Sequence, residues 1–405
     1  MPRAKKINPV PEISITTEKK FDVIMFNMSN YCEWTTKGRS NRNFHILNNL
    51  KNHPNINRIL AVDYLPHTNK RALRNWKENI WGAPNDQTIK SGLFTRIYKI
   101  DDKVTVYSTI TNKINLGKAL ENINKYAKKE NFRNVILWSY YPLITEYFDK
   151  IDHVISVFDT VDNWAEHASY SDIKDKIEEN YKIISEKANI IFSLSKDTEN
   201  MFSPRHEKIF QITQGIDLAH YSGKNKLINN DIAKIPHPII GYVGIIQENR
   251  VNLDLIEYIA NKNLDKSIVL IGPIWSDEDR IRLKKISNIY LLGAKKYKET
   301  PDYINQFDIG IIPHYTNEFI KYTCPMKLYE YMACGIPIVT TDTPGVEQFK
   351  DYIRITNDFE KFNIYIQEEL ENNSEEKINA KIQTIKDHTW MKKVDKMMSY
   401  IKKYI

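Results

Sequence analysis

Short runs of β-branched and aromatic residues alternate with segments of helical periodicity along most of this 405-residue chain. That alternation is typical of parallel sheets whose strands are joined by crossover helices. In the helical segment 171–188, Ile173, Ile177 and Tyr181 recur at the spacing of one helix face. The sequence therefore predicts an α/β fold, and the less regular segment 66–112 suggests an antiparallel excursion.

The apolar runs form two series, separated by the polar stretch YSGKNKLINNDIAKIPHP at 221–238. Its polarity and its closing prolines predict an interdomain linker. Each series predicts one doubly wound, Rossmann-like domain, and ligands of such sheets bind outside the carboxyl ends of the strands, which here face a cleft. The predicted strands are 21–26, 56–64, 134–140, 153–159, 189–195 and 208–213, then 238–244, 267–272, 288–293, 308–314, 336–341 and 352–356.

The length also favours two domains, because one hydrophobic core seldom serves a chain of this size. The tail from residue 376 onward has helical character throughout and no capping glycine. The predicted division is a flexible N-terminal arm at 1–20, an N-terminal domain at 21–222, a linker at 223–237, a C-terminal domain at 238–385 and a final helix at 386–405.

Charge and cysteine content exclude several classes of protein. The net charge of +7 is spread over scattered lysines, which permits docking on an anionic surface but does not resemble the basic stripe of a nucleic-acid binder. Cys32, Cys324 and Cys334 lack the spacing of a disulfide or zinc scaffold. The N-terminal segment has no apolar core typical of a signal peptide, and no apolar run is long enough to span a membrane. We therefore expect a cytoplasmic protein.

The stretch YTCPMKLYEYMACGIPIVTTDTPG at 322–345 has the pattern of a short helix followed by a buried strand. Pro325 suits the first helical position, with Thr323 or Cys324 as the cap, and Gly335 suits the end. A helix N-terminus attracts anions such as a diphosphate, because its amides are unpaired and its dipole end is positive.

Two charged residues lie one turn apart on that helix. Lys327 supplies a mobile charge for phosphate oxygens, and Glu330 can accept hydrogen bonds from a ribose cis-diol. The alternative is a surface ion pair of small energetic value, which spacing alone favours.

The order of several motifs resembles the GT-B fold of glycosyltransferases, and most closely family 4 and its relatives. The matching pieces are GYVG, LLG, FDIGIIP and, above all, P-x-K-L-Y-E-Y-M-A-C-G-I-P-I-V, with QGIDLAHY before the hinge. In the first domain, FDTVDNW at 158–164 resembles an element of a subgroup that builds bacterial surface polysaccharides. The resemblance covers most of 130–350 and implies an acceptor-binding first domain, a donor-binding second domain, and a final helix that packs back across the cleft onto the first domain.

The resemblance implies roles for residues of the second domain. Glu330 matches the glutamate that holds the donor ribose, Lys327 a lysine near the diphosphate, and Gly244 the glycine that lets a backbone approach the phosphates. Two positions depart from the pattern: Tyr322 replaces a usual glutamate, and Arg250 is the only cation at the reach of the usual arginine and lysine. The predicted donor-binding residues are Gly244, Arg250, Tyr322, Thr323, Lys327, Leu328 and Glu330.

In the first domain, Asp159 and Asp162 end a predicted strand facing the cleft. They could bind acceptor hydroxyls or stabilise an oxocarbenium-like centre, and we take them as candidate catalytic residues. Capping of a following helix is an equal alternative for Asp162. The predicted acceptor-binding residues are Asn41, Arg42 and Trp138, although aromatic residues near strand ends, Trp138 included, are more often core.

His167 is interpreted as an incidental helical residue. The Asp277-x-Asp279 pair resembles a metal-binding pattern, but acidic residues in a first helical turn need only the helix dipole as explanation. We therefore expect no metal cofactor.

The predicted function is transfer of a sugar from a nucleotide-diphosphate donor to a glycan or polyprenol-linked acceptor in bacterial surface polysaccharide synthesis. By resemblance we expect retention of configuration, independence of metal, and contact with the inner face of the membrane. Two alternatives stay open: a non-catalytic module that binds sugar nucleotide or glycan, and a sugar-nucleotide epimerase of the same architecture.

Overall fold

The computed structural model describes residues 19–35, 38, 40–81, 88–222, 231–247 and 249–405. The predicted N-terminal arm lies outside the described residues except for its last two, and so does the first half of the predicted linker. The described chain forms two mainly parallel sheets, one in each half, with helices on both faces. The predicted fold class, two doubly wound α/β domains, is confirmed.

The first sheet has the strand order β3-β4-β5-β2-β1-β6-β7-β8-β9. Strands β3 and β4 are antiparallel to their neighbours, which is the excursion that the segment 66–112 suggested, and the other pairs are parallel. The strands are β1 (Phe21–Phe26), β2 (Ile56–Val62), β3 (Thr88–Ser91), β4 (Thr95–Lys99), β5 (Val104–Thr109), β6 (Ile136–Ser139), β7 (Ile155–Asp159), β8 (Ile190–Ser193) and β9 (Ile209–Gln211).

The second sheet is parallel throughout, in the order β12-β11-β10-β13-β14-β15. Its strand order reverses between β10 and β13, and that of the first sheet reverses between β1 and β6. Such reversals open a crevice at the carboxyl ends of the strands. The strands are β10 (Ile239–Val243), β11 (Ser267–Ile271), β12 (Ile289–Gly293), β13 (Ile309–Ile312), β14 (Ile338–Thr340) and β15 (Arg354–Ile355).

The helices cover the sheets with apolar faces, as α5 does with buried Ile177, Tyr181 and Ile184. A π-helix at Trp76–Trp81 continues α3 directly. The α-helices are α1 (Tyr31–Thr35), α2 (Arg42–Leu50), α3 (Asn69–Asn75), α4 (Leu116–Lys129), α5 (Lys174–Lys187), α6 (Lys196–Asn200), α7 (Leu218–Tyr221), α8 (Leu253–Lys262), α9 (Asp277–Lys284), α10 (Thr300–Ile304), α11 (Glu318–Lys321), α12 (Met326–Cys334), α13 (Phe359–Glu371), α14 (Glu375–Ile385) and α15 (Trp390–Lys403).

The C-terminal tail consists of α14 and α15, and α15 lies within the final helix predicted at 386–405. The chain breaks at Thr389, whose side chain accepts from the Lys392 amide and so caps the start of α15. Helix α15 then packs on the first domain, where Trp390 stacks on His45 with ring centroids 5.0 Å apart. Its apolar face is continuous with the core around β1. Among the described residues, no helix is long and apolar enough to cross a bilayer.

Candidate functional site

The reversal point of the second sheet places Gly244 directly after β10. The Gly244 amide donates to the Ile271 carbonyl oxygen at 2.8 Å, and its φ of +156° lies in a region that L side chains rarely adopt. A Cβ atom there would come within 2.7 Å of Lys327 Cε. Glycine at this position therefore lets the Lys327 side chain lie against the backbone at the strand end.

Lys327 lies in the first turn of α12 and is half-buried in the crevice. Its ammonium group is 5.3 Å from the centroid of the Tyr242 ring. Burial and, to a smaller extent, the nearby Arg250 lower the pKa of Lys327 to about 8, against the opposing effect of Glu330. A bound anion would stabilise an ammonium group that is both desolvated and repelled by a second cation.

His314, which follows β13 across the same crevice, is almost fully buried. Its Nε2 lies 3.2 Å from the Tyr242 hydroxyl. The pKa of His314 is held well below its usual value by burial and by Lys327 and Arg250. This neutral imidazole was not among the predicted residues, because no local pattern distinguishes it from a core histidine.

Glu330 lies one turn after Lys327 on the same face of α12 and is also half-buried. Burial raises the pKa of the Glu330 carboxyl, while Lys327 and a hydrogen bond from the Tyr221 hydroxyl lower it. That hydroxyl also lies 3.1 Å from Thr300 Oγ1. Both charged residues of α12 thus point into the crevice, and the alternative of an ion pair on the open surface is wrong.

Arg250 stands in the loop after β10, with its main chain fixed by bonds to Gln247 and Tyr315. Its guanidinium carbon is 5.1 Å from the centroid of the Phe319 ring. From the first domain, Asp162 approaches this cation: burial raises the pKa of Asp162 to about 6, and Arg250 opposes that shift. The structure therefore brings together two of the predicted residues from opposite domains.

His167 also belongs to this contact between domains, contrary to its interpretation as an incidental helical residue. Its ring centroid lies 5.4 Å from that of Phe319 and 6.4 Å from that of Trp275, both in the second domain. Burial lowers the pKa of His167, and the neighbouring Arg250 lowers it further. Nothing in the local sequence distinguishes this histidine, because its partners come from the other domain.

Asp159 is completely buried, although we expected it to face the cleft. Its Oδ1 accepts from Arg42 Nε at 2.9 Å, and the other end of that guanidinium donates to the Thr213 carbonyl oxygen. Burial raises the pKa of Asp159, and Arg42 opposes the shift. The expected direct contacts of Asp159 and Arg42 with substrate are contradicted by this burial, since the two residues neutralise each other inside the first domain.

The other two predicted acceptor residues have structural partners. Trp138 on β6 is 0% exposed and packs on Phe192, so stacking of its ring on a sugar is excluded in this structure. Asn41 caps α2 by accepting from the Phe44 amide at 3.0 Å, and it donates to Ser29 Oγ. Helix capping therefore accounts for the Asn41 side chain.

The remaining residues predicted to bind the donor lie before and inside α12. This helix begins at Met326 after an extended Pro325, and Thr323 instead donates its hydroxyl proton to the Ile320 carbonyl oxygen, so the predicted Thr323 cap is wrong. Leu328 is a core residue. Tyr322 is half-buried near Tyr181, at the wall of the cleft.

Gly335 ends α12 with a left-handed φ of +72°, as predicted. The acidic pair Asp277-x-Asp279 forms the first turn of α9 behind the Ser276 cap, which agrees with the structural interpretation. The described residues contain no group of three or more His, Cys, Asp or Glu side chains arranged to hold a metal ion.

A cavity of about 400 Å³ opens on the first-domain side of the cleft. It lies beyond the carboxyl ends of β1 and β2, and Trp275 of the second domain contributes one wall. The lining includes Ser29, Asn30, Tyr64, Arg71, Tyr170 and Trp275. The Arg71 guanidinium carbon lies 4.2 Å from the centroid of the Tyr170 ring, an arrangement that offers an aromatic face and hydrogen-bond donors to a polar ligand.

Known proteins resemble this chain in sequence and in fold. A profile of the family described as "Glycosyl transferases group 1" matches residues 237–372. The putative teichuronic acid biosynthesis glycosyltransferase TuaH of Bacillus subtilis (strain 168) is 25% identical over 164 residues, which cover 40% of this chain and 41% of TuaH.

Two solved structures share the fold over nearly their whole length. An alpha,alpha-trehalose-phosphate synthase (UDP-forming) from Burkholderia vietnamiensis has a TM-score of 0.68 at 10% identity, covering 96% of this chain and 99% of its own. Anabaena Alr3699/HepE in complex with UDP-glucose has a TM-score of 0.65 at 11% identity, covering 95% of this chain and 100% of its own.

Proposed function

We propose that the chain, whose residues 237–372 match the group 1 glycosyltransferases and whose fold is that of GT-B enzymes, transfers a sugar from a nucleoside-diphosphate donor to a glycan or polyprenol-linked acceptor. The observation that carries the proposal is the placement of Lys327 against Gly244 at the reversal point of the second sheet, with Glu330 one turn further along α12. Anion-binding groups and a ribose-binding carboxylate thereby share one crevice.

In this proposal the diphosphate lies between the Gly244 backbone, the N-terminus of α12 and the cations Lys327 and Arg250. Burial of Lys327 and its repulsion by Arg250 favour a bound anion. The Glu330 carboxylate, held by the Tyr221 hydroxyl, accepts from the ribose hydroxyls. UDP is the first donor nucleotide to test, since the Anabaena structure of the same fold contains UDP-glucose.

The departing diphosphate gains negative charge as the bond to the sugar breaks. Lys327, Arg250 and the dipole of α12 stabilise that charge in the proposed reaction, without a metal ion and with retention of configuration. Asp162, whose pKa is raised to about 6 but which is still mainly ionised at neutral pH, faces Arg250 from the first domain. It is placed to hold an acceptor hydroxyl or to stabilise positive charge on the sugar. Asp159 acts as a positioning residue through Arg42.

For the acceptor we propose the 400 Å³ cavity between the first domain and Trp275. Its aromatic and amide side chains suit a sugar ring with several hydroxyls. The likeness to TuaH supports a role in bacterial surface polysaccharide synthesis, at the inner face of the membrane. Closure of the two domains would exclude water and orient donor and acceptor.

Thermal unfolding with UDP, GDP, ADP, CMP and TDP tests the donor site. A nucleotide at one hundred times its dissociation constant adds about 2.7 kcal/mol, so one of the five should raise the midpoint by several degrees. Glu330→Ala should lose most of that rise, whereas Glu318→Ala, which removes an exposed glutamate of α11, should keep it. If none of the five nucleotides raises the unfolding midpoint, or if the rise is equal in both variants, the assignment is contradicted.

Slow hydrolysis of the matching sugar nucleotide without acceptor distinguishes the enzyme from a binding module. A thermal shift without any hydrolysis or transfer would favour the module, to which the replacement of a usual glutamate by Tyr322 points.

A further inference from the structure

We propose that one surface of the first domain docks onto an anionic lipid bilayer. This surface, here the α3–β4 surface, is formed by α3, the π-helix that follows it, and the β3–β4 hairpin. Its members are the apolar residues Leu73, Trp81, Ile89, Leu93 and Phe94 and the cations Lys70, Lys77 and Lys90. The inference rests on the proposed function in one respect, since a membrane surface is where a polyprenol-linked acceptor would be found.

The apolar members are unusually exposed. The exposed fractions are 75% for Trp81, 63% for Leu93 and 56% for Leu73, with Phe94 and Ile89 close behind. The other large exposed apolar side chains in the described part of the chain belong to other elements of the two domains. Isolated exposed apolar residues are normal, but five on three neighbouring elements indicate an interaction surface.

Direct contacts join the π-helix to the tip of the hairpin. Trp76 Nε1 donates to the Leu93 carbonyl oxygen at 2.8 Å, which ties the π-helix to the tip of the hairpin. The Trp76 ring also contacts the Trp81 ring, with centroids 5.7 Å apart. The hairpin tip is closed by a bond from the Gly92 amide to the Thr95 carbonyl oxygen. Leu93 and Phe94 therefore project from a fixed turn beside Trp81.

The positive charge of this surface indicates an anionic partner. Lys70, Lys77 and Lys90 are exposed and form no ion pair within the described residues. Among the described residues of 69–99 the only acidic side chain is Glu78, which pairs with Arg74 at 3.2 Å. Exposed tryptophan, phenylalanine and leucine interleaved with lysine suit the headgroup region of an anionic membrane. Strand β3 is also the edge of its sheet, a place where soluble proteins avoid apolar side chains.

Helix α3 connects this surface to the proposed acceptor cavity. Arg71, Arg74 and Asn75 line the cavity, while Lys70 and Leu73 of the same helix belong to the α3–β4 surface. A protein docked through this surface would hold the cavity close to the bilayer, where a lipid-linked sugar could enter.

Flotation with vesicles tests the proposal on the full chain. Wild type should float with vesicles of phosphatidylcholine mixed with phosphatidylglycerol, and much less with phosphatidylcholine alone or at high salt. Leu73→Ser, Trp81→Ser and Phe94→Ser combined should lower partitioning about tenfold or more. Lys70→Gln, Lys77→Gln and Lys90→Gln combined should remove most of the preference for the anionic vesicles.

The matched control combines Leu264→Ser with Ile281→Ser, which removes exposed apolar side chains from the second domain and should leave flotation unchanged. Wild type that does not float, or an apolar variant that floats as well as wild type, would overturn the proposal. So would self-association that the apolar variant abolishes in the absence of vesicle binding, since the surface would then be a protein interface.

The nucleotide-dependent rise of the unfolding midpoint keeps the two proposals separate. It should be the same in wild type and in the apolar variant, because the α3–β4 surface lies outside the donor crevice. If wild type gives a normal nucleotide response but does not bind vesicles, docking alone is refuted. If wild type binds vesicles but responds to none of the nucleotides, the proposed function alone is refuted.

Discussion

Both domains place charged side chains at the carboxyl ends of central parallel strands, but the partners of these charges differ between the domains. In the first domain, Arg42 and Asp159 form an ion pair in which both side chains are 0% exposed. In the second domain, Lys327 and Arg250 repel each other in a crevice, and Lys327 has a pKa lowered to about 8 by burial. The charges of the first site are matched, while in the second site the carboxylate of Glu330 does not offset the burial and the repulsion by Arg250 that act on Lys327.

This difference separates a positioning role from a binding role. A buried ion pair has lost its hydration and each charge is matched by the other, so the Arg42–Asp159 pair fixes the segments that it joins but does not bind substrate. A desolvated Lys327 that Arg250 repels, and whose charge Glu330 compensates only in part, is stabilised by a bound anion. The donor should therefore act on the second site, and stability should depend on the first.

The largest expected effect comes from breaking the buried pair. Arg42→Met leaves the Asp159 carboxylate buried without its cation, which should destabilise the first domain by about 3 kcal/mol or more. Calorimetry of the purified variant measures this as a lower unfolding midpoint. The double variant Arg42→Met with Asp159→Leu should recover part of the loss, since no uncompensated charge remains. A double variant less stable than the single one would mean that the attraction between the two charges stabilises the domain by more than their removal from water costs.

The second prediction concerns Lys327, and its effect should appear in binding rather than stability. Lys327→Met should leave the midpoint of the free protein unchanged or slightly higher, because the desolvated charge is gone. It should weaken binding of the donor nucleotide about tenfold to a hundredfold through loss of a charge-assisted hydrogen bond. Titration calorimetry measures the affinity, and Lys321→Met, an exposed lysine of α11, is the control.

The pH dependence of donor affinity and of stability provides a second test of the role of Lys327. Below pH 8 Lys327 is protonated and attracts the diphosphate, so affinity should fall as the pH rises through about 8. Stability of the free protein should move the opposite way between pH 8 and 10.5, where the unfolded state binds the proton more tightly than the folded state. Parallel trends, or trends that persist in Lys327→Met, would show that another group titrates.

The sequence predicted the parts of this comparison that depend on local pattern. Strand positions follow from apolar runs, and the Lys327 and Glu330 helix was visible because its charged residues, its proline and its glycine lie within one short stretch. The pairing of Arg42 with Asp159 was not visible, since the two are 117 residues apart and meet only through the parallel sheet. The same holds for Trp275, whose role depends on the approach of the other domain. Pro325 takes an extended conformation, which moved the start of α12 to Met326.

The smallest expected effect concerns Glu330, the carboxylate that remains open to a ligand while Asp159 is closed. Tyr221→Phe removes the hydroxyl that donates to Glu330, so the carboxylate should lose orientation and the pKa of Glu330 should rise. Because one hydrogen bond contributes about 1 kcal/mol, affinity for the donor nucleotide should fall about fivefold. Affinity for inorganic diphosphate, which has no ribose, should not change.

Tyr303→Phe is the control, since its hydroxyl bonds to Asp231 elsewhere in the second domain. Equal losses of affinity for the nucleotide and for inorganic diphosphate would place Tyr221 with the phosphate groups. The division of the crevice into a cationic end at Lys327 and a ribose end at Glu330 would then be wrong, because one substitution would weaken both.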